Sequence, residues 1–104
     1  MLADGVWKAL ADSTRRSIIQ ALSEGKKTTT ELCEQFDGLT RFAVMKHLDV
    51  LEGVGLVMVK REGRNRWNSL NRTPLATADA WLARHVEGRR DMLQRIKRIA
   101  EEGT

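Results

Sequence analysis

The chain has one cysteine, Cys33, so no intrachain disulfide can form, and a reducing compartment is the natural setting. No apolar run approaches the roughly 20 residues that a helix needs to cross a bilayer. Met1–Val6 carry neither the basic start nor the apolar stretch of a signal peptide. These absences make the cytoplasm the expected location, with no role at a membrane. There is no glycine-rich phosphate loop, no His-x-x-x-His pair and no isolated acidic dyad. Nothing in the sequence places an activating histidine beside Cys33. An enzyme is therefore not expected, and neither is a cofactor. Without an internal repeat, a low-complexity tract or a linker, the 104 residues read as a single domain over 1–104.

What the chain does have is charge, placed unevenly. Charged residues make up 31% and the net charge is +4. Residues 40–72 hold seven Lys/Arg against three acids, which accounts for the whole excess, and the remainder is neutral. A basic third on an otherwise balanced chain fits a face that meets a polyanion. An ordinary basic surface is the plain alternative. The apolar share of 41% supports only a modest core, so a partner copy would add stability.

Read in order, Val6–Leu10 is a short first helix. Asp12 or Ser13 can cap a second helix, Thr14 to about Ser23, with Ile18, Ile19 and Leu22 on one face and Gly25 closing it. Thr28-x-x-Glu31 has capping-box spacing and opens a helix with Leu32, Cys33 and Phe36. Asp37-Gly38 is a turn. Thr40 then caps a helix whose Ala43, Val44, Leu48 and Leu51 form a core stripe, while Arg41, Phe42, Met45, Lys46 and Asp49 fall opposite. Gly53 and Gly55 stop it. The period changes to two in Leu56–Arg61, and a Glu62–Asn65 turn leads into Arg66–Leu70, a hairpin with Trp67 as its core residue. Thr73 as N-cap before Pro74 starts a last helix. Its apolar pattern runs to about residue 102, a length of roughly 42 Å. That is too long to pack on so small a domain, so its second half needs a partner, most simply a second copy.

The expected fold is therefore mostly α with a small β-hairpin: a winged helix-turn-helix. The helix-turn-helix spans about 28–53, the wing about 56–70 and a C-terminal dimerisation helix about 74–102. Leu10–Ile19, the run from Thr40 to Val57 with its Val44–Leu51 centre, and Arg61-Glu62-Gly63-Arg64 resemble the ArsR/SmtB-type winged-helix repressors. Pro74-Leu75 and Ala80–His85 resemble a branch of that family without its familiar metal sites. The resemblance implies a homodimer through the first and last helices, which would place Val6, Trp7, Leu10, Trp81, Leu82, His85, Leu93 and Ile96 at the interface. It also implies a double-stranded DNA operator, an inverted repeat near the protein's own promoter. No inducer can be read from the residues.

The chemistry of the outer helix face agrees. A helix fits the major groove and its first residues meet base edges. Arg41 can fork onto guanine, Phe42 or Met45 can touch a thymine methyl, and Thr40 and Lys46 can hold phosphates. His47 follows on the flank, with a phosphate or structural hydrogen bond as its role. Lys60, Arg61, Arg64 and Arg66 flank the wing tip and suit phosphates or a narrow minor groove. The alternative for the wing is a solubilising edge hairpin.

Metal sensing is not expected. Glu31-Leu32-Cys33 begins the family's thiolate motif, but Gln35 stands where a second cysteine is needed, and one thiolate does not make a soft multi-sulfur site. Asp79, His85 and Glu87 lack the spacing of the interfacial zinc site. A thiol- or metal-responsive repressor using Cys33 is one alternative reading. The other is a winged-helix protein-interaction module that does not bind DNA.

Overall fold

A computed structural model of the chain describes residues 4–86, 95 and 98–102. Its elements follow as α1 (Asp4–Leu10), α2 (Ser13–Ser23), β1 (Lys27–Thr28), α3 (Thr29–Gln35), α4 (Arg41–Gly53), β2 (Val57–Glu62), β3 (Asn65–Leu70) and α5 (Thr73–His85). The first helices start where side chains satisfy the open backbone donors of the first turn. Asp12 Oδ1 accepts from the Arg15 N–H at 3.0 Å, and Thr40 Oγ1 accepts from the Ala43 N–H at 3.0 Å. Thr28 and Glu31 complete a reciprocal capping box.

Among the described residues the core is one cluster. Ile18, Ile19 and Leu22 of α2, Leu32 of α3 and Val44, Leu48 and Leu51 of α4 meet Leu56 and Val57 at the start of the wing. Val6 and Ala9 close it from α1. Cys33, Phe36 and Leu39 pack against its edge. At the end of α4 only Gly55 takes a positive φ, +80°, and provides the left-handed turn after the C-cap Val54. Gly53 remains inside the helix, so the stop belongs to one glycine and not to both.

The sheet is three-stranded and antiparallel, in the order β1-β3-β2. The expected hairpin is present, with Val57 opposite Leu70 and Glu62 opposite Asn65. The two-residue β1 was not foreseen. It pairs Lys27 with Asn68 and Thr28 with Trp67, and so joins the root of the helix-turn-helix to the wing. No described helix is long and apolar enough to cross a membrane.

The last helix departs from expectation at both ends. Its N-cap is Arg72, without a side-chain cap bond, and Thr73 is already helical. Asn71 does the work instead, accepting from the Thr73 N–H at 3.2 Å. At the other end α5 stops at His85, and Val86 leaves helical geometry at φ −113°, ψ 72°. Only Ala78 of α5 is buried. A helix draws most of its stability from tertiary packing, and Val86, where α5 ends, is exposed. The expectation of a helix unbroken from about 74 to 102 is corrected at Val86, and residues 98–102 are again helical. Leu93 and Ile96 lie outside the described residues.

The caps also tune two carboxylates, exposed Glu31 and half-buried Asp12. The Thr28 backbone N–H, then the Thr28 hydroxyl, hold Glu31 below its ordinary value of 4.5. The Arg15 backbone N–H, followed by the charges of Arg15 and His47, holds Asp12 below 3.8. A depressed folded pKa stabilises fully above the ordinary value, and that contribution is lost as the pH falls through the lowered one. Melting the wild type and Glu31→Gln between pH 7 and pH 3 is expected to show a stability gap that closes below pH 4.5. A gap independent of pH would show that the charge of Glu31 plays no part.

Candidate nucleic-acid interface

α4 divides into two faces. Val44, Leu48 and Leu51 are fully buried, and Ala43 is half-buried. On the opposite side of its first turns Thr40, Arg41, Phe42 and Lys46 are exposed. Phe42 is 76% exposed and touches none of the core. An exposed large apolar side chain between two cations is poorly explained by solvation alone. The neighbouring capped helix α3 and the Phe36–Thr40 turn set the angle at which this face points outward.

The wing lies beside it. Its tip is a two-residue loop, Gly63-Arg64, in which only Gly63 has a positive φ, +60°. That is the pattern of a type II′ hairpin, whose first central position favours glycine. Arg64 therefore sits at the tip, exposed, with Arg61 exposed on β2. Lys60 is exposed but shares a 3.0 Å ion pair with Glu62.

Arg66 does not belong to this outer set. It is 8% exposed, and its guanidinium lies 3.4 Å from Asp49 and 3.6 Å from Glu52 of α4. It also donates to Met45 Sδ at 3.4 Å. The expectation that Arg66 stands with the free cations at the wing tip is corrected for that reason: the side chain is an internal strut between the wing and α4. Met45 is drawn with it into a half-buried position, less available to a thymine methyl than Phe42. Trp67 is likewise corrected as the wing's core residue. Side chains alternate along a strand, and it is Arg66 and Asn68 that face inward. Trp67 is half-buried on the other face, with Lys26 Nζ 4.8 Å from its ring centre.

His47 is half-buried, with Nδ1 3.4 Å from Arg15. The same arginine donates to the carbonyls of Ala9 at 2.8 Å and Lys8 at 3.1 Å. It thereby caps the end of α1 and ties α1 and α2 to the recognition helix. Sequence reasoning missed Arg15, as it missed Thr29, Thr30 and Asn65, which share a cavity with Arg41, Arg61 and Arg64. Three successive threonines at the start of α3 were the available signal for the cavity.

The residues expected at a dimer interface separate. Val6 is 4% exposed in the chain's own core and has no surface to offer a partner, which corrects its assignment. Leu10 and Leu82 are half-buried. Trp7 meets Trp81 edge to face at 5.8 Å, and His85 stacks on Trp81 at 4.3 Å. Trp81 remains 44% exposed, beside an open groove along α5. Cys33 is half-buried, and among the described residues no three His, Cys, Asp or Glu side chains come together as metal ligands would.

Residues 10–60 match the helix-turn-helix domain family. An HTH-type transcriptional regulator of Bacillus subtilis, YuzN, is 45% identical over 78 residues, covering 69% of this chain and 85% of that protein. A crystal structure of an ArsR family transcriptional regulator superposes with a TM-score of 0.75 at 37% identity, over 81% of this chain and 91% of that one. The chain belongs to the ArsR family. A second ArsR-like regulator, from Rhodococcus sp. RHA1, superposes with a TM-score of 0.74 at 30% identity, over 94% of this chain and 89% of its own. The transcriptional repressor SdpR of Bacillus subtilis is 29% identical over 83 residues, covering 80% of this chain and 91% of that protein. This ArsR-family chain is a DNA-binding transcriptional regulator with a winged helix-turn-helix fold, not an enzyme.

The two classes of wing arginine separate by stability. Truncating Arg66 removes a buried stem and its ion pairs, but Asp49 and Glu52 stay hydrated, so the loss falls short of that for a fully buried pair. Arg66→Ala is expected to cost about 2 kcal/mol by urea denaturation, and Arg61→Ala to stay within about 0.5 kcal/mol. Equal effects would put both arginines on the surface.

Proposed function

We propose that the chain represses transcription as a homodimer on an inverted-repeat operator, in the cytoplasm, and that its own promoter is among its targets. The observation that carries the reading is Phe42, held bare at the start of α4 between Arg41 and Lys46 and next to the wing. Such a helix start can enter a major groove, with Arg41 on guanine and Phe42 on a thymine methyl. Thr40 and Lys46 take phosphates, as do Lys60, Arg61 and Arg64 on the wing, and His47 steadies the helix from its flank. Residues 28–53 form the reading unit, 56–70 the wing, and the segment from 74 towards 102 the dimerisation element. The similarity to a named repressor supports the direction of regulation. Two copies joined through Trp7, Leu10, Trp81, Leu82 and His85 set their reading helices about one DNA turn, ~34 Å, apart. Repression follows from occupying a promoter that polymerase needs. An effector that alters the spacing of the two helices releases the DNA.

On the reading face Arg41, Lys46, Arg61 and Arg64 have no ion pair among the described residues. With Arg41 on a base edge and Lys60 offset by Glu62, three phosphates neutralised per subunit by Lys46, Arg61 and Arg64 give a slope of log affinity on log salt of about −5 for a dimer. Gel shifts with the protein's own upstream DNA at several salt concentrations are expected to find it. Arg64→Ala should weaken binding on every sequence alike and flatten the slope by about 1 per subunit. Failure to bind even random duplex at low salt would overturn the reading.

The dimer has its own test. Light scattering at micromolar concentration is expected to give twice the chain mass, and Trp81→Glu the single mass with helical content unchanged. A wild-type monomer would remove the paired geometry.

A further inference from the structure

Between the start of α3, the start of α4 and the wing lies a cavity of about 200 Å³. At ~30 Å³ per water molecule, it has room for an oxyanion and part of its hydration shell. Arg41, Arg61, Arg64 and Arg66 line it together with Thr29 and Thr30. No carboxylate is in its wall. Asp49 and Glu52, which meet Arg66, are not among its lining residues.

The wall is rich in unused donors. Thr29 Oγ1 accepts from Asn68 Nδ2 at 3.1 Å, and Thr30 Oγ1 accepts from Arg41 at 3.5 Å. Each hydroxyl therefore keeps its own hydrogen to give. Arg41, Arg61 and Arg64 have no ion pair among the described residues. Arg66, more than nine-tenths buried, has an Nε with no partner. An unanswered donor on a buried cation is costly, and guanidinium forks match the oxygens of a tetrahedral anion.

We propose that this cavity is an oxyanion pocket for one tetrahedral phosphate, either free in solution or carried by the DNA backbone. The second source rests on the DNA binding proposed above, and the first does not. Where both apply, free phosphate competes with DNA and weakens repression more than chloride does at equal ionic strength.

The test follows backbone amide signals of the isotope-labelled full chain while sodium phosphate is added against sodium chloride at matched ionic strength. Saturable shifts at Thr29, Thr30, Asn65 and Arg66 are expected under phosphate only, and their loss in Thr30→Ala/Arg61→Gln. Both substituted residues are exposed, so the variant is expected to fold, and a circular dichroism spectrum checks this. If it does not fold, the wild-type titrations decide. Gel shifts in the two salts then read the competition directly.

If phosphate shifts nothing, the backbone source is read with duplexes that each carry one uncharged methylphosphonate. A single position that costs the wild type about tenfold in affinity, and the variant little, supports the pocket. Duplex that binds without moving these four amides, together with a silent phosphate titration, overturns the pocket and leaves the repressor reading standing. Duplex that does not bind overturns that reading, and the phosphate titration alone then decides the pocket.

Discussion

Everything on the reading side depends on how α4 is held. A helix meant to lie in a groove must leave half its surface bare, so only one stripe is available to fix it. Val44, Leu48 and Leu51 form that stripe, and all three are fully buried. At about 1.5–3 kcal/mol for each large apolar side chain buried, the stripe outweighs any single polar contact the helix makes. Leu32 from α3 and Leu56 from the wing root close over it, so the same core orients the helix-turn-helix and starts the hairpin. The Thr40 cap fixes where the helix begins, and hence which residues lead into a groove.

The wing is a different problem, because a hairpin with so little apolar surface is not self-supporting. Polar contacts orient it instead. Asn68, fully buried on the central strand, donates to the Lys27 carbonyl and to Thr29, which stitches β3 to the root of α3. Arg66 reaches from the same inward face to Asp49 and Glu52. Asn71 donates to the Gly55 carbonyl at 2.9 Å and pins the far end of the hairpin to the end of α4. Directional bonds of this kind set an angle more sharply than apolar packing does. In the proposed complex, the relative placement of wing and α4 decides which grooves they can meet together.

Local signals were readable in the chain, and long-range ones were not. Asp12, Thr28 and Thr40 announce helix starts by chemistry confined to four residues. The core stripe of α4 follows from its spacing. Strand β1 has two residues, too few to show a period, and it exists only because β3 lies alongside. The inward facing of Arg66 and Asn68 was hidden by the rule that apolar residues go inside. Trp67 satisfied that rule, and shifting the parity by one residue reverses every assignment on the strand. The exposure of Arg41, Phe42, Lys46 and Arg64 was legible from their position at an element start or turn. Arg15, Thr29 and Thr30 were missed because their roles depend on partners remote in the chain or across a cavity.

The same distinction revises what the basic third of the chain means. Counting residues treats every cation there as equally free. In the fold, Arg66 is neutralised by two carboxylates, Lys60 by one, and Arg72 donates to the Ser23 carbonyl on another side of the domain. What remains is a small group, Arg41, Lys46, Arg61 and Arg64, around one cavity and one exposed phenylalanine. Phosphate attraction from so few charges positions a protein on DNA without choosing a sequence. In the proposed complex, choice then falls to contacts at the start of α4, where Phe42 is the most exposed large apolar residue described. An apolar reader of that kind discriminates by methyl groups and shape, which would make the angle of α4, and so the struts that hold it, part of specificity.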